Sequence, residues 1–205
     1  MKKTLAFLLT LLLGLSLLGL AGCGGENGGG TTGSKVDEAL AYLEQGDDAA
    51  EAGKPAEAIE LYNKALALYP KFGKAYLSRG LAYEDLDDFD SALADYDKAI
   101  AYDPELADAY YFRGCVYDDS GESAKAAEDF GKAIELMPQD SYSWYMRGSV
   151  YEDMELYEKA VADYDKAIEL KPDFGGSYEG RGFCYEMLGE DDLAAADYAK
   201  ADQLK

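Results

Sequence analysis

The sequence contains no histidine, the residue that most often serves as a general base or a metal ligand. This absence excludes Ser–His and Cys–His nucleophile pairs and every His-based metal site. Carboxylate pairs remain as acid–base candidates, but they recur at a regular interval along the chain, whereas a catalytic pair is expected to be unique. We therefore expect no enzymatic activity, no cofactor and no bound metal.

Basic residues are also scarce, since 19 Lys and Arg stand against 41 Asp and Glu. Nucleic-acid binding depends on cations that neutralise phosphates, so this balance argues against it. It equally disfavours direct adsorption to an anionic membrane surface. A charged partner is therefore expected to be basic.

Cysteine is rare, with three residues in 205. Much of the chain repeats every 34 residues, and Cys115 and Cys184 lie two repeats apart. This separation is too large for a disulfide. The two cysteines are predicted to be buried or half-buried thiols in helices. Cys23 stands apart from both, near the N-terminus.

The first 22 residues have the pattern of a secretory signal peptide: a basic start, an apolar stretch over residues 5–20 and small residues before Cys23. A signal anchor is the alternative, because about 20 apolar residues can span a bilayer. Gly14, Ser16 and Gly19 weaken the helix and favour cleavage.

Residues 20–23, Leu-Ala-Gly-Cys, resemble the bacterial lipobox. The resemblance implies that Cys23 carries palmitate-type acyl chains and anchors the protein in the cell envelope. An aspartate directly after Cys23 would resemble an inner-membrane retention signal, but the residue at this position is Gly24. The expected location is the outer membrane facing the periplasm in a Gram-negative cell, or the cell surface otherwise.

Six glycines occur in residues 24–33 without apolar periodicity. This composition predicts that residues 23–38 form a Gly-rich coil tether, reaching roughly 20 Å from a membrane.

The rest of the chain repeats with a period of 34 residues, and several residue columns are in phase. Small residues and rings at these spacings favour pairs of close-packed helices, each pair ended by a proline. The glycine column is Gly46, Gly80, Gly114, Gly148, Gly182; the ring column is Tyr62, Tyr96, Phe130, Tyr164, Tyr198; the alanine column is Ala58, Ala92, Ala126, Ala160, Ala194; the proline column is Pro70, Pro104, Pro138, Pro172.

This order of residues resembles the tetratricopeptide repeat family. The resemblance implies an all-α fold, an α-solenoid of five helical hairpins: repeat 1 (39–72), repeat 2 (73–106), repeat 3 (107–140), repeat 4 (141–174) and repeat 5 (175–205). Asp202 stands where earlier repeats have Leu or Ile, so the last helix is expected to act as a cap.

Two polar columns vanish together in repeat 1, which predicts that they pair across the helices. They are Arg79, Arg113, Arg147, Arg181 and Asp95, Asp129, Asp163, Asp197. An anion-binding or catalytic ladder is the alternative. Asp85–Asp90 faintly resembles a calcium loop, but it lacks the central glycine and distal glutamate, and a capping aspartate is the preferred interpretation.

Acidic residues at the ends of the first helices are unfavourable to the helix dipole, so stability does not explain them. In the tetratricopeptide family these positions edge a partner-binding groove. The resemblance implies a groove lined by Leu77, Leu81, Glu84, Asp85, Tyr111, Asp118, Asp119, Tyr142, Tyr145, Glu152, Asp153, Phe183 and Glu186. A solvated, solubilising face is the alternative.

Together these features predict a membrane-tethered scaffold for protein–protein interaction in the bacterial envelope. Rings beside carboxylates suit a basic or aromatic-containing segment of an envelope protein. The alternative is an envelope protein that binds a cation or another ligand in the acidic groove.

Overall fold

A computed structural model describes residues 32–205, which form ten α-helices and, within that range, no strand. The helices are α1 (Thr32–Glu51), α2 (Pro55–Leu68), α3 (Gly73–Glu84), α4 (Phe89–Tyr102), α5 (Ala107–Asp119), α6 (Ser123–Leu136), α7 (Ser141–Asp153), α8 (Tyr157–Leu170), α9 (Gly175–Met187) and α10 (Asp191–Asp202). Each predicted repeat contains one helical hairpin, which confirms the predicted all-α fold class.

The first helix begins earlier than predicted. Helix α1 starts at Thr32, so residues 32–38 are helical, although they were assigned to the coil tether. Lys35 and Glu38 are good helix formers, which favours a helix that starts before residue 39. The signal peptide, Cys23 and the rest of the tether lie outside the described residues.

The described residues divide into two compact units, one that ends at Pro70 and one that spans residues 71–205. The described part of the first unit is the hairpin α1–α2, in which Leu43, Ala58 and Tyr62 are buried. Its Tyr62 hydroxyl donates to Asp47 Oδ1 at 2.9 Å.

The second unit stacks the four hairpins of repeats 2–5. Within it, each second helix packs on the first helix of the next repeat, and the first helices of consecutive repeats also touch. Residues that share a repeat position on these first helices therefore lie along one surface of the unit.

Glycine and a ring determine how closely the two helices of a hairpin approach. A Cβ on Gly80 would lie 2.5 Å from Tyr96 Cε1, and one on Gly148 would lie 3.0 Å from Tyr164 Cδ1. Tyr96 and Tyr164 are at most 1% exposed. Burying such a ring stabilises the fold by about 2 kcal/mol. The residue that faces the ring has to be glycine, because a Cβ at that position would collide with the ring.

The turn between the two helices requires a left-handed residue in every hairpin. The residue at this turn is glycine in repeats 1, 3 and 5. Gly121 of repeat 3, for example, has φ 75°. Asp87 and Glu155 occupy this position in repeats 2 and 4, with φ 59° and 58°. These two side chains are strained there, because the left-handed conformation is unfavourable for residues with a Cβ.

Aspartates cap two helices. Asp88 Oδ1 accepts from Ser91 N at 3.2 Å at the start of α4, which confirms the capping interpretation of the Asp85–Asp90 segment. Asp140 Oδ2 accepts from Ser143 N at 2.9 Å at the start of α7. Both bonds satisfy amides that a helix start leaves unpaired.

Candidate functional site

The Arg and Asp columns pair within each hairpin of the second unit. In repeat 3, Arg113 Nε and Nη2 donate to Asp129 Oδ2 and Oδ1, each at 2.7 Å. The same bidentate bond joins the other three pairs, Arg79–Asp95, Arg147–Asp163 and Arg181–Asp197. The predicted salt-bridge ladder is confirmed, and the arginine column is structural.

Two of these arginines also join neighbouring repeats. Arg113 Nη1 donates to Asp97 Oδ1 of repeat 2 at 2.6 Å, and Arg181 Nη1 donates to Asp165 Oδ1 of repeat 4 at 2.5 Å. The equivalent position before Arg147 is Gly131, which has no side chain to accept such a bond. These bonds between repeats are not among the predicted pairs, which join the two helices of one hairpin.

The acidic column is partly structural, which corrects the sequence interpretation that stability does not explain it. The Tyr96 hydroxyl donates to Glu84 Oε1 at 2.9 Å, and the Tyr164 hydroxyl donates to Glu152 Oε2 at 2.8 Å. Tyr198 makes the same bond to Glu186 at 2.9 Å. These glutamates tie the end of the first helix to the ring of the second.

Burial alters the ionisation of two of these glutamates. Desolvation raises the pKa of Glu84 to about 7, although the Tyr96 hydrogen bond opposes the shift. Desolvation also raises the pKa of Glu152. Burial therefore favours the protonated form of Glu84 in the folded chain.

Two predicted groove residues belong to the core instead. Leu77 is 2% exposed and packs in a cluster with Tyr96 and Val116. Tyr111 is 6% exposed, with its ring 5.6 Å from that of Phe130. The next hairpin covers both side chains, so the prediction that they line an accessible groove was wrong.

Tyr142 and Tyr145 are half-buried beside Phe174, at ring distances of 5.6 and 4.9 Å. Lys171 Nζ donates to the Tyr142 hydroxyl at 2.8 Å. Tyr142 is therefore engaged within the protein, whereas Tyr145 also faces a cleft.

The remaining predicted groove residues lie on the first helices, or directly after α3 in the case of Asp85, at partly or fully exposed positions. Leu81, Glu84, Asp118 and Glu152 are half-buried, and Asp85, Asp119, Asp153, Phe183 and Glu186 are exposed. We call the surface formed by these nine residues and Tyr145 the acidic groove.

An open cleft of about 460 Å³ lies in the acidic groove where repeats 4 and 5 meet. Its lining residues are Tyr145, Ser149, Glu152, Tyr164, Gly176, Glu179, Gly180, Phe183 and Tyr198. Rings and two carboxylates thus face one open volume, an arrangement that attracts cations and flat apolar groups.

Two glycines of α9 line this cleft. Gly176 and Gly180 occupy the positions of Tyr142 and Met146 in repeat 4. A Cβ on Gly180 would lie 2.6 Å from the Tyr164 hydroxyl oxygen. These glycines and Glu179 are not among the predicted groove residues, although the sequence shows that repeat 5 lacks the two large side chains of repeat 4.

Glu179 at the cleft already receives an ammonium group. Lys205 Nζ lies 3.0 Å from Glu179 Oε1, and both side chains are more than half exposed. An exposed ion pair of this kind contributes little to stability, so another cation can replace Lys205 at small cost.

Comparison with protein-family models identifies the repeat. The tetratricopeptide repeat model matches residues 43–104, 77–143 and 141–174, which together cover more than half of the chain. The chain belongs to the tetratricopeptide repeat family. Members of this family are scaffolds for protein–protein interaction, and the bidentate ladder and ring–glycine packing above are how this chain builds that scaffold.

Solved tetratricopeptide repeat structures share the fold. A MamA crystal structure is 30% identical, with 78% of this chain and 93% of that chain covered and a TM-score of 0.73. MamA from Desulfovibrio magneticus RS-1 is 23% identical, covering 82% and 95%, with a TM-score of 0.75. YrrB, described as having an unusual peptide-binding site, is 20% identical, covering 85% and 92%, with a TM-score of 0.73. No curated protein matches the chain.

A second cleft, of about 360 Å³, lies in repeat 3 of this tetratricopeptide array, around Tyr110, Tyr117 and Lys125. The Arg113 guanidinium that lines it is bound to Asp129 and Asp97. Lys125 Nζ lies 4.9 Å from the centre of the Tyr117 ring. Because its cations already contact carboxylates and rings, this cleft is less suited to an additional ligand.

Residues 32–205 contain no candidate metal cluster and no candidate membrane-spanning helix. No group of three or more His, Cys, Asp or Glu side chains there is arranged to hold a metal ion. In the same range, no helix combines the length and apolar character that a membrane crossing needs. Cys115 and Cys184, half-buried and buried respectively, are free thiols as predicted.

Proposed function

We propose that this tetratricopeptide repeat chain is a lipid-anchored scaffold of the bacterial envelope that binds a basic or aromatic-containing polypeptide segment in its acidic groove. The observation that carries the proposal is the cleft where repeats 4 and 5 meet. There the rings of Tyr145, Phe183 and Tyr198 share one volume with the carboxylates of Glu152 and Glu179.

The charge of the groove supports a basic ligand. Asp85, Asp119 and Asp153 occupy one repeat position on consecutive first helices, and all three are exposed. Carboxylates in such a row attract a cationic chain and accelerate its association. The fold supports the same role, since the similar YrrB is described as having a peptide-binding site.

The contact between Lys205 and Glu179 gives the proposal a specific form. A ligand lysine would take the position that the Lys205 ammonium occupies, 3.0 Å from Glu179 Oε1. A charge-assisted hydrogen bond of this kind to a carboxylate, beside aromatic rings, combines ion pairing with cation–π attraction.

The test uses fluorescence anisotropy of a labelled peptide of alternating lysine and tyrosine, with a glutamate–tyrosine peptide for comparison. The groove variant combines Asp119→Asn, Asp153→Asn and Glu179→Gln, which remove three charges without changing side-chain size. We leave Glu84 and Glu152 intact because they hold Tyr96 and Tyr164. We expect the lysine peptide to bind at least about tenfold more weakly to this variant.

A matched control carries the same loss of three charges on exposed residues of the second helices: Glu128→Gln, Glu158→Gln and Asp192→Asn. It should bind the lysine peptide like the unchanged chain. If both triple variants weaken binding equally, the groove has no special role, and its charge serves solubility.

The membrane part of the proposal rests on Cys23 and its lipobox resemblance. Acyl chains contribute about 0.8 kcal/mol per buried CH₂, and two or more chains give stable attachment. In cells, Cys23→Ala should move the protein from the membrane fraction to the soluble fraction. An unchanged membrane fraction, or a mass spectrum of the native protein without acyl chains, would contradict this part.

A further inference from the structure

Repeat 5 departs from the acidic groove at two positions. Met187 occupies the column of Asp85, Asp119 and Asp153, and it is 51% exposed. Phe183 occupies the column of Leu81, Cys115 and Ser149, and it is 38% exposed. At these two positions the groove is apolar in repeat 5, while Glu186 of the same repeat remains exposed.

The two apolar side chains belong to one surface. Phe183 and Met187 are four residues apart on α9, so they are neighbours on one helix face. The Phe183 ring also lies 6.3 Å from the ring of Tyr157 in α8, and Phe183 lines the cleft. We call Tyr157, Phe183 and Met187 the apolar anchor site.

The acidic residues of the groove lie at regular intervals from this site. Packed helices are about 8–10 Å apart, and an extended chain advances about 3.3 Å per residue. One repeat thus corresponds to about three ligand residues. Asp153 lies one repeat from Met187 along the first helices, and Asp119 lies two.

We propose that the partner is a polypeptide segment with an apolar side chain at one end, which binds the apolar anchor site, and basic side chains about three and six residues away, which bind near Asp153 and Asp119. This inference rests on the proposed function of the acidic groove and specifies the ligand pattern. It explains why repeat 5 has an exposed Met187 in place of the aspartates and an exposed Phe183 in place of Ser149 of repeat 4.

Charge argues against the chain itself as the occupant. The formal net charge is −22, so docking of a second copy would bring like charges together. The glycine-rich residues 24–33 also lack the required pattern, since they contain Glu26, no basic residue and no large apolar residue.

The test uses three synthetic peptides, each made in both chain directions. The apolar–basic peptide has a leucine pair, with lysines three and six residues away, in a serine background. The basic peptide replaces its leucines by serine, and the apolar–acidic peptide replaces its lysines by glutamate. Anisotropy with the full chain should show that the apolar–basic peptide, in one direction, binds at least about tenfold tighter than the other two.

The variant Phe183→Ser with Met187→Asp gives repeat 5 the residues that repeat 4 has at Ser149 and Asp153. It should bind the apolar–basic peptide no better than the basic peptide. Leu193→Lys is the control: it is 48% exposed on α10, and it takes the residue of Lys125 and Lys159. Those lysines lie over Tyr117 and Tyr151, none of which lines the cleft where repeats 4 and 5 meet, so this change should leave peptide binding unaltered.

Other results would overturn the proposal in distinguishable ways. Equal binding of the apolar–basic and basic peptides would exclude the anchor site while leaving the acidic groove in place. Absence of binding by either lysine peptide would contradict the proposed function as well. A dimer in sedimentation that the Phe183→Ser, Met187→Asp variant dissociates would identify a second copy as the occupant.

Discussion

Repeat 3 differs from repeats 2 and 4, although all three have the same helical frame. Repeats 2 and 4 have a tyrosine that bonds a glutamate, an aspartate that bonds the arginine of the next repeat, and an acidic residue at the left-handed turn. Repeat 3 has Phe130, Gly131 and Gly121 at these positions. Repeat 3 therefore keeps the packing columns but lacks all three polar features, of which the tyrosine–carboxylate bond also occurs in repeats 1 and 5.

This difference distinguishes the packing that the hairpin fold requires from the polar bonds that add to its stability. Gly114 and Phe130 keep repeat 3 closely packed without the hydroxyl bond. Shape is therefore sufficient for the hairpin, and the polar bonds add strength at particular joints. Substitutions at equivalent positions in different repeats can measure each contribution.

The largest expected effect concerns the arginine ladder. Asp163 is the one carboxylate bonded to Arg147 in residues 32–205, while Arg113 retains Asp97 when Asp129 is lost. We expect Asp163→Asn to lower the free energy of unfolding by about 3 kcal/mol, because it leaves a half-buried guanidinium without a charged partner. Asp129→Asn should lower the free energy of unfolding by about 1 kcal/mol less than Asp163→Asn does, because Arg113 keeps its bond to Asp97. Urea unfolding measures both, and equal losses would show that the Arg113–Asp97 bond contributes nothing.

The second effect depends on pH. Because burial raises the pKa of Glu84 from 4.5 to about 7, the folded state favours its protonated form. The stability that the protonated Glu84 side chain contributes is therefore fully present below about pH 4.5, and it is lost as the pH rises through 7. Glu84→Gln can still accept the Tyr96 hydrogen bond and should be more stable than the unchanged chain by roughly 2 kcal/mol at pH 8.

At pH 4 the Glu84→Gln variant and the unchanged chain should have the same stability. Thermal unfolding across this pH range measures the difference between them. A difference that does not change with pH would mean that Glu84 ionises normally in the folded state.

A smaller effect separates the glycines of repeats 2 and 3. A Cβ on Gly80 would lie 2.5 Å from Tyr96, whereas one on Gly114 would lie 3.1 Å from Phe130. Overpacking typically costs 1–3 kcal/mol, and alanine recovers about 1 kcal/mol of helix propensity. Gly80→Ala should therefore destabilise the chain by about 1–2 kcal/mol, and Gly114→Ala should be nearly neutral. The reverse order in urea unfolding would contradict the packing difference.

The smallest effect is a gain. A Cβ on Gly131 would meet Arg147 Nη1 at 3.5 Å, an ordinary contact, so Gly131→Asp can supply the bond that Asp97 and Asp165 supply elsewhere. We expect a stabilisation of about 1 kcal/mol. Gly131→Ala controls for helix propensity alone. If the two variants are equally stable, the added carboxylate forms no useful bond with Arg147.

The sequence predicted the helical frame because each packing column appears several times in phase. The Arg–Asp pairing was also readable, since both residues are missing from repeat 1, which has Gln45 and Leu61 instead. Only the start of α1 was misplaced, because glycine content does not determine where the helix begins.

The site was less predictable, because accessibility depends on neighbouring hairpins. Leu77 and Tyr111 occupy a groove column, but the next repeat buries them. The tyrosine–glutamate bonds were missed, although glutamate accompanies tyrosine in repeats 2, 4 and 5, and Asp118 accompanies Phe130 in repeat 3. The residues at these two positions change together from repeat to repeat, and this covariation could have predicted the bonds.

The central claim is that a basic segment binds the groove where repeats 4 and 5 meet. The most direct test is a ¹H–¹⁵N spectrum of the chain titrated with the apolar–basic peptide. We predict the largest amide shifts at Gly176, Gly180 and Phe183 in α9 and at Asp153 in α7. Shifts concentrated around Tyr110, Tyr117 and Lys125, or distributed evenly over the repeats, would contradict the account.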